Sequence, residues 1–238
     1  MQRLLRLIYP HQCALCEALV EDDGALCGSC WADVPFILGL GCDQCGAPLP
    51  GDDDGQRYQC DDCLAIARPW SRGRSALIYS GKARSLVLGL KHGDRLDLAR
   101  PAARWMLRRA EPLRAPGQVV VPVPAHWRRT LRRRFNQAAV LAGEMARQAG
   151  CAHAPLALRR TRATGTQEGR KQDARFANVD GAIAADPHHG AVLQGADVLL
   201  VDDVITSGAT LGAATSACLD AGARRVQIVA LARVVKET

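Results

Sequence analysis

The chain has 238 residues, 48% of them hydrophobic and 23% charged, with a formal net charge of +7. That length accommodates one full domain and a small second one, and the composition is that of a globular protein rather than a disordered or collagen-like one. No run of 18 apolar residues occurs, so no membrane span is expected. Met1 to Pro10 carries Arg3 and Arg6 among scattered apolar residues, a stretch too short and broken for an export signal, so a cytoplasmic protein is expected.

Charge is divided unevenly. Residues 1–66 hold 3 Arg and 11 Asp or Glu, a balance of −8, whereas residues 67–238 hold the other 28 Lys and Arg with 13 acids, a balance of +15. Such asymmetry marks two domains and points to a polyanionic partner for the second. A solvated arginine-rich surface is the alternative reading.

Eight of the ten cysteines fall in the first 63 residues, as four Cys-x-x-Cys pairs: Cys13/Cys16, Cys27/Cys30, Cys42/Cys45 and Cys60/Cys63. Two such knuckles supply the four thiolates of a tetrahedral zinc site, so four pairs make two structural sites with no position left for water. Sequential pairing is the simplest arrangement and a cross-braced one stays open. Gly28 and Gly46 fit the tight turns that knuckles need. A disulfide framework is the competing reading, but no export signal accompanies it. Large apolar residues are few here (Trp31, Phe36, Ile37 and Leu38), so metal would supply most of the folding energy. Cys151 and Cys218 read as small buried residues.

Residues 67–75, with Pro69 and Gly73, read as a linker between a ribbon unit, 1–66, and a second domain, 76–238. Ser75 to Tyr79 is an expected edge strand, and Lys82 to Lys91 an expected helix. Leu96 to Arg109 is helical in spacing, with a kink or a late start at Pro101. Gln118 to Val123 is the next strand, followed by Pro124, Ala125 and His126. Residues 128–134 hold five arginines. A helix runs from about Gln137 to Gly150. Residues 159–178 are polar and read as a long, lid-like loop. Asp197 to Val201, Gly208 to Ala221 and Arg225 to Leu231 complete a strand–helix–strand unit, with Gly222 as the helix stop. Strands alternating with helices predict an α/β fold with a mainly parallel sheet covered on both faces.

The most informative segment is Val198 to Thr210. Four apolar residues run into Asp202 and Asp203, then into Thr206, Ser207, Gly208, Ala209 and Thr210. Ligands of open α/β sheets bind at the carboxyl ends of strands. A tight loop opening onto a helix offers N–H groups and a dipole to phosphate, while adjacent acids suit sugar hydroxyls. Plain capping of the loop and helix is the alternative.

This segment resembles the sugar-phosphate signature of type I phosphoribosyltransferases. Pro122-Val123-Pro124, Phe135-Asn136-Gln137 and the loop residues Thr166, Gln167, Arg170, Arg175 and Asn178, together with the four cysteine pairs, are similar to the ComF family. The resemblance covers Cys13 to about Ala232. It implies a double zinc ribbon before a type I phosphoribosyltransferase-like domain that binds 5-phosphoribosyl-1-pyrophosphate with magnesium. It assigns the ribose hydroxyls to Asp202 and Asp203, and the 5-phosphate to Thr206, Ser207, Gly208, Ala209 and Thr210. The pyrophosphate would meet Val123, Pro124, Ala125 and His126, with Arg175 closing over it. Arg134 departs from a glycine common in the family, which puts a close backbone contact there in doubt. Ser207 keeps the hydroxyl of the usual threonine.

No catalytic residue or acceptor base can be named, and the aromatic residues are only 3 Phe, 3 Tyr and 4 Trp. The resemblance implies support of DNA uptake in natural competence, with phosphoribosyl transfer to an unknown acceptor as the enzymatic reading. Single-stranded DNA is a further expected partner, and a competence helicase or other uptake protein is expected to dock on the acidic ribbon. A non-catalytic zinc-ribbon adaptor on a retired transferase fold is the alternative.

Overall fold

The computed structural model describes residues 10–22, 24–92, 95–125, 135–162 and 181–235. His126, Arg134, Arg175, the arginine run 128–134 and most of the expected lid lie outside them. The described elements are α1 (Gly28–Asp33), α2 (Asp61–Ala65), β1 (Gly73–Ile78), α3 (Gly81–His92), α4 (Ala99–Ala110), β2 (Val119–Pro122), α5 (Gln137–Ala149), β3 (Ala152–His153), β4 (Leu158–Arg160), β5 (Ile183–Ala185), β6 (Asp197–Ile205), α6 (Ala209–Asp220) and β7 (Arg225–Arg233).

Five strands form one sheet in the order β1-β7-β6-β2-β3, every pairing parallel. Alternation along the strands divides the core. Val120, Leu199, Val201, Val229 and Leu231 pack with apolar residues of α3, α4 and α5. Val119, Val121, Val198, Leu200, Val226 and Ile228 pack with α6 and the β4–β5 hairpin. Strands sealed on both faces read as apolar runs, as 198–201 does. Pro101 sits in the first turn of α4, which starts late after a 3-10 turn at Leu96–Leu98 and does not kink. Asn136 caps α5 by accepting from the Ala138 N–H, and Gly150 ends it in the left-handed conformation. Arg159 and Arg160, expected in a loop, belong instead to β4, which pairs antiparallel with β5.

The cysteine-rich segment folds as a repeat. Gln12 bridges Leu19 in the first half and Gly41 bridges Pro48 in the second. Cys27 and Cys60 each precede a short helix, α1 and α2. Glu17 at φ 64° and Gly46 at φ 70° occupy matching turn positions. Only Gly46 is compelled, because a Cβ there would lie 2.3 Å from the Ser75 nitrogen. Gly28, expected to serve a turn, has no positive φ and open space around it, so its freedom is not used.

The ribbon is stitched to the sheet. Ile37 N–H donates to Ala76 O and Ile78 N–H to Pro35 O, an antiparallel pairing that covers the β1 edge. Phe36 packs between Trp31, tilted to it at 33°, and Trp105 of α4, edge-on at 88°, with centroids 4.5 and 5.3 Å away. Asp43 accepts from Arg72 at 2.7 Å and from Arg74 at 2.8 Å. Within residues 67–75, Trp70 is 2% exposed and β1 has already begun at Gly73.

Candidate functional site

Parallel strands bring their carboxyl ends to one side of the sheet, and β6 reaches further than its neighbour β2. The last partners of those two strands are Pro122 and Val201, while β6 continues against β7 as far as Ile205 opposite Arg233. Asp202 and Asp203 therefore sit inside the strand, in an overhang paired on one side only, and not beyond its end as expected. Val123 N–H donates to Val201 O at 2.9 Å, which sets the Val123–Ala125 turn beside the two acids.

Both acids are half-buried. Asp202 Oδ1 accepts from the Asp203 N–H at 2.9 Å, and Asp203 Oδ1 from the Val204 N–H at 2.7 Å. The second oxygen of Asp203 meets the Lys91 ammonium at 2.8 Å. Burial first, and then the Asp203 carboxylate, push the Asp202 carboxyl well above the usual carboxylate range, against the pull of the Asp203 N–H and of Lys91.

From Ile205 the chain turns through Thr206, which is exposed, into Ser207, Gly208 and α6. Gly208 has φ 81°, and a Cβ on it would come within 3.0 Å of Trp70 Cη2, so glycine is required twice over. Ser207 is buried and its hydroxyl accepts from the Ala209 N–H at 3.3 Å. Thr206 and Thr210 are the hydroxyls that remain less enclosed. On the neighbouring turn, Asn136 Nδ2 donates to Val123 O at 3.0 Å and Arg160 Nε to Pro124 O at 2.9 Å. The structure thus brings Asp202, Asp203, Thr206, Ser207, Gly208, Ala209, Thr210, Val123, Pro124 and Ala125 to one end of the sheet, whereas His126 and Arg175 lie outside the described residues.

Four side chains around these loops escaped sequence reasoning: Lys91, Arg160, Arg68 and Arg233. A lone cation in the apolar run Leu231-Ala232-Arg233-Val234-Val235 was a usable signal. Lys91 ends an ordinary amphipathic helix and gave none.

The cysteines gather as the sequential pairing requires. Cys13, Cys16, Cys27 and Cys30 form one group and Cys42, Cys45, Cys60 and Cys63 the other, each with its sulfurs within 4.8 Å of one another. Cys16 and Cys27 Sγ are 3.5 Å apart, and Cys45 and Cys60 Sγ 3.6 Å. Those gaps are far longer than a disulfide bond of about 2.05 Å. They approach the edge of about 3.8 Å that four sulfurs at about 2.3 Å from zinc define. The donor set and its spacing fit two structural zinc ions. Cys218 is fully buried in α6, which pushes its thiol up to about 12 and leaves it a packing residue.

Comparison with known proteins agrees with both halves. Residues 4–64 match the double zinc ribbon domain and residues 136–238 the phosphoribosyl transferase domain. These define the class: a double zinc ribbon joined to a phosphoribosyltransferase-type α/β domain. The chain is 32% identical to DNA utilization protein YhgH of Salmonella typhimurium, over 96% of this chain and 100% of that one. Competence protein F of Haemophilus influenzae is 27% identical, over 87% of this chain and 90% of that protein. The chain belongs to the ComF family. Among solved structures, APRTase from Giardia lamblia is 22% identical over 61% of this chain and 70% of that one, with a TM-score of 0.38, too distant to add to the sequence relatives.

Proposed function

We propose that the chain binds 5-phosphoribosyl-1-pyrophosphate with magnesium at the carboxyl end of β6. The observation that carries this reading is the overhang itself: two half-buried carboxylates lead directly into a left-handed Gly208 and the first turn of α6. The carboxylates suit ribose hydroxyls, and the N–H groups of 206–210 suit the 5-phosphate. The Val123–Ala125 turn, with His126 and Arg175, takes the pyrophosphate. The raised pKa of Asp202 belongs to a carboxylate short of positive charge, and hard oxygen donors of this kind fit magnesium. Magnesium, when bound, stabilises charge on the leaving phosphates. Asp202 and Asp203 orient the sugar, and the 206–210 loop holds its far end, so that C1 faces the acceptor. The units 1–66 and 76–238 belong to the same reading, with 67–75 between them, the last three of which already form the start of β1.

The names of the relatives support a role in DNA utilization and competence. A cytoplasmic location is part of the proposal. Among the described residues no helix is long and apolar enough to cross a membrane. Turnover to an acceptor is the finer proposal. The test is thermal shift with magnesium and 5-phosphoribosyl-1-pyrophosphate, on the wild type and on Asp202→Asn/Asp203→Asn. Ligand at about 100 times its dissociation constant stabilises by about 2.7 kcal/mol. The wild type is expected to shift and the double variant not to; equal shifts defeat the reading. Pyrophosphate release on adding candidate bases tests turnover.

A second reading has its own observation. Arg100, Arg104 and Arg108 are exposed along α4, each about 6 Å from the next along the axis, a spacing suited to backbone phosphates of single-stranded DNA. Oligonucleotide affinity should then fall steeply with salt and drop in Arg104→Glu/Arg108→Glu. Absence of binding at low salt excludes it. A docking protein on the ribbon remains the adaptor alternative, and pull-down with the intact chain tests it.

A further inference from the structure

The second cysteine group and the 206–210 loop share a wall. Trp70 Nε1 donates to Gln44 O, a carbonyl lying between Cys42 and Cys45, and the same ring abuts Gly208. Arg68 Nη1 donates to Ser207 O at 2.7 Å, and its guanidinium lies 5.6 Å from the centre of the Trp70 ring. Arg233, the last residue of β7, is 4% exposed. Its Nη1 donates to Ile205 O at 3.3 Å and to Thr206 O, while Nη2 faces Asp62 at 3.8 Å. Asp62 is the neighbour of Cys63 in α2.

Three consecutive loop carbonyls, of Ile205, Thr206 and Ser207, are thus held by two guanidiniums. In a trans peptide the carbonyl and the following N–H point in opposite directions, and no peptide here is cis. Holding those carbonyls on the ribbon side turns the N–H groups of Thr206, Ser207 and Gly208 to the other side, a set of donors suited to an anion. The cations that aim the loop reach the ribbon through Asp62 and through Trp70, whose indole N–H donates to Gln44 O.

We propose that Arg233 and Arg68 are positioning residues of the phosphate loop, and that the second ribbon braces them, so that zinc on Cys42, Cys45, Cys60 and Cys63 and a sugar phosphate at 206–210 bind cooperatively. This rests on the reading of the loop as the 5-phosphate site. Linkage makes the coupling reciprocal: ligand must tighten that zinc by the factor by which zinc tightens ligand. The first cysteine group touches neither guanidinium through any of these contacts, and serves as an internal control.

The experiment follows zinc release from the full chain to a chromogenic chelator, with and without saturating magnesium and 5-phosphoribosyl-1-pyrophosphate, magnesium alone being the blank. Cys13→Ser, which lacks the first site, assigns the phases. Release from the second group is expected to slow about tenfold, within the usual range of such couplings, with the first unchanged. Arg233→Gln is expected to abolish the protection and weaken ligand by a like factor while retaining both zincs. Asp62→Asn, which leaves the loop contacts in place, gives the same direction in weaker form and serves if Arg233→Gln does not fold. Ligand that binds yet slows neither phase, or both alike, overturns the coupling. A wild type that binds no ligand fails earlier, at the site itself.

Discussion

Lys91 at the end of α3 and Asp203 in the overhang of β6 form an ion pair of 2.8 Å, with both side chains mostly enclosed. The pair gives Asp203 a cationic partner inside a wall of the site and lends positive potential to Asp202. Removing the ammonium leaves two adjacent carboxylates with less compensation. Lys91→Met should therefore move the pH dependence of ligand binding to higher pH, since Asp202, deprived of the lysine's pull, then ionises later. It should also cost about 1–3 kcal/mol of stability or more, the range for an enclosed polar group left without its partner being exceeded by charged ones. Isothermal titration with magnesium and 5-phosphoribosyl-1-pyrophosphate across pH reads the first effect; an unchanged profile contradicts it.

Asp202 offers a test of sign. Its folded carboxyl titrates above the unfolded one, so between those two values the native state holds the extra proton and stability falls as pH rises. Asp202→Asn cannot ionise. It should match the wild type in acid, gain on it as pH rises through the folded pKa, and lose ligand affinity throughout. Melting curves from about pH 4, the ordinary carboxylate value, upward follow the difference. A variant that loses ground to the wild type with rising pH is the opposite result.

Glu17 and Gly46 occupy equivalent turns with φ of 64° and 70°. Glu17→Gly should stabilise the first half by about 1 kcal/mol, the left-handed penalty of a residue with a side chain. Gly46→Ala should cost more than that, because the added carbon meets Arg74 and Ser75 backbone atoms as well. Denaturant melts of the zinc-loaded chain compare the two, and equal and opposite effects refute the packing argument.

Each cysteine group should hold one zinc. Elemental analysis of the purified chain is expected to give two per molecule, and one after Cys13→Ser or Cys42→Ser. Loss of the second should disturb the sheet more. Trp70, Arg72, Arg74 and Ser75 all contact residues of the Cys42–Cys45 knuckle. Near-ultraviolet circular dichroism of the two variants tests that order.

Much was legible in the residues themselves, for local reasons. Cys-x-x-Cys spacing states a metal site because ligand geometry is set by a few bonds. The runs Val119–Val121 and Val198–Val201 state strands sealed on both faces, because apolar side chains on both sides of a strand need cover on both sides. Gly222, read as a helix stop, has the left-handed φ of 86° that such a stop needs, and the order of strands and helices states the parallel sheet. Contacts between distant segments were not legible. The overhang of β6 depends on where β2 stops beside it, so Asp202 and Asp203 were expected beyond the strand. Lys91 reaches Asp203, Arg160 reaches Pro124, and Arg68 and Arg233 hold the 205–207 carbonyls only because packing closes long stretches of chain. Sequence spacing carries the chemistry of a neighbour three or four residues away; which cation lies behind a loop is decided by how the ribbon, β1 and β7 come together in space.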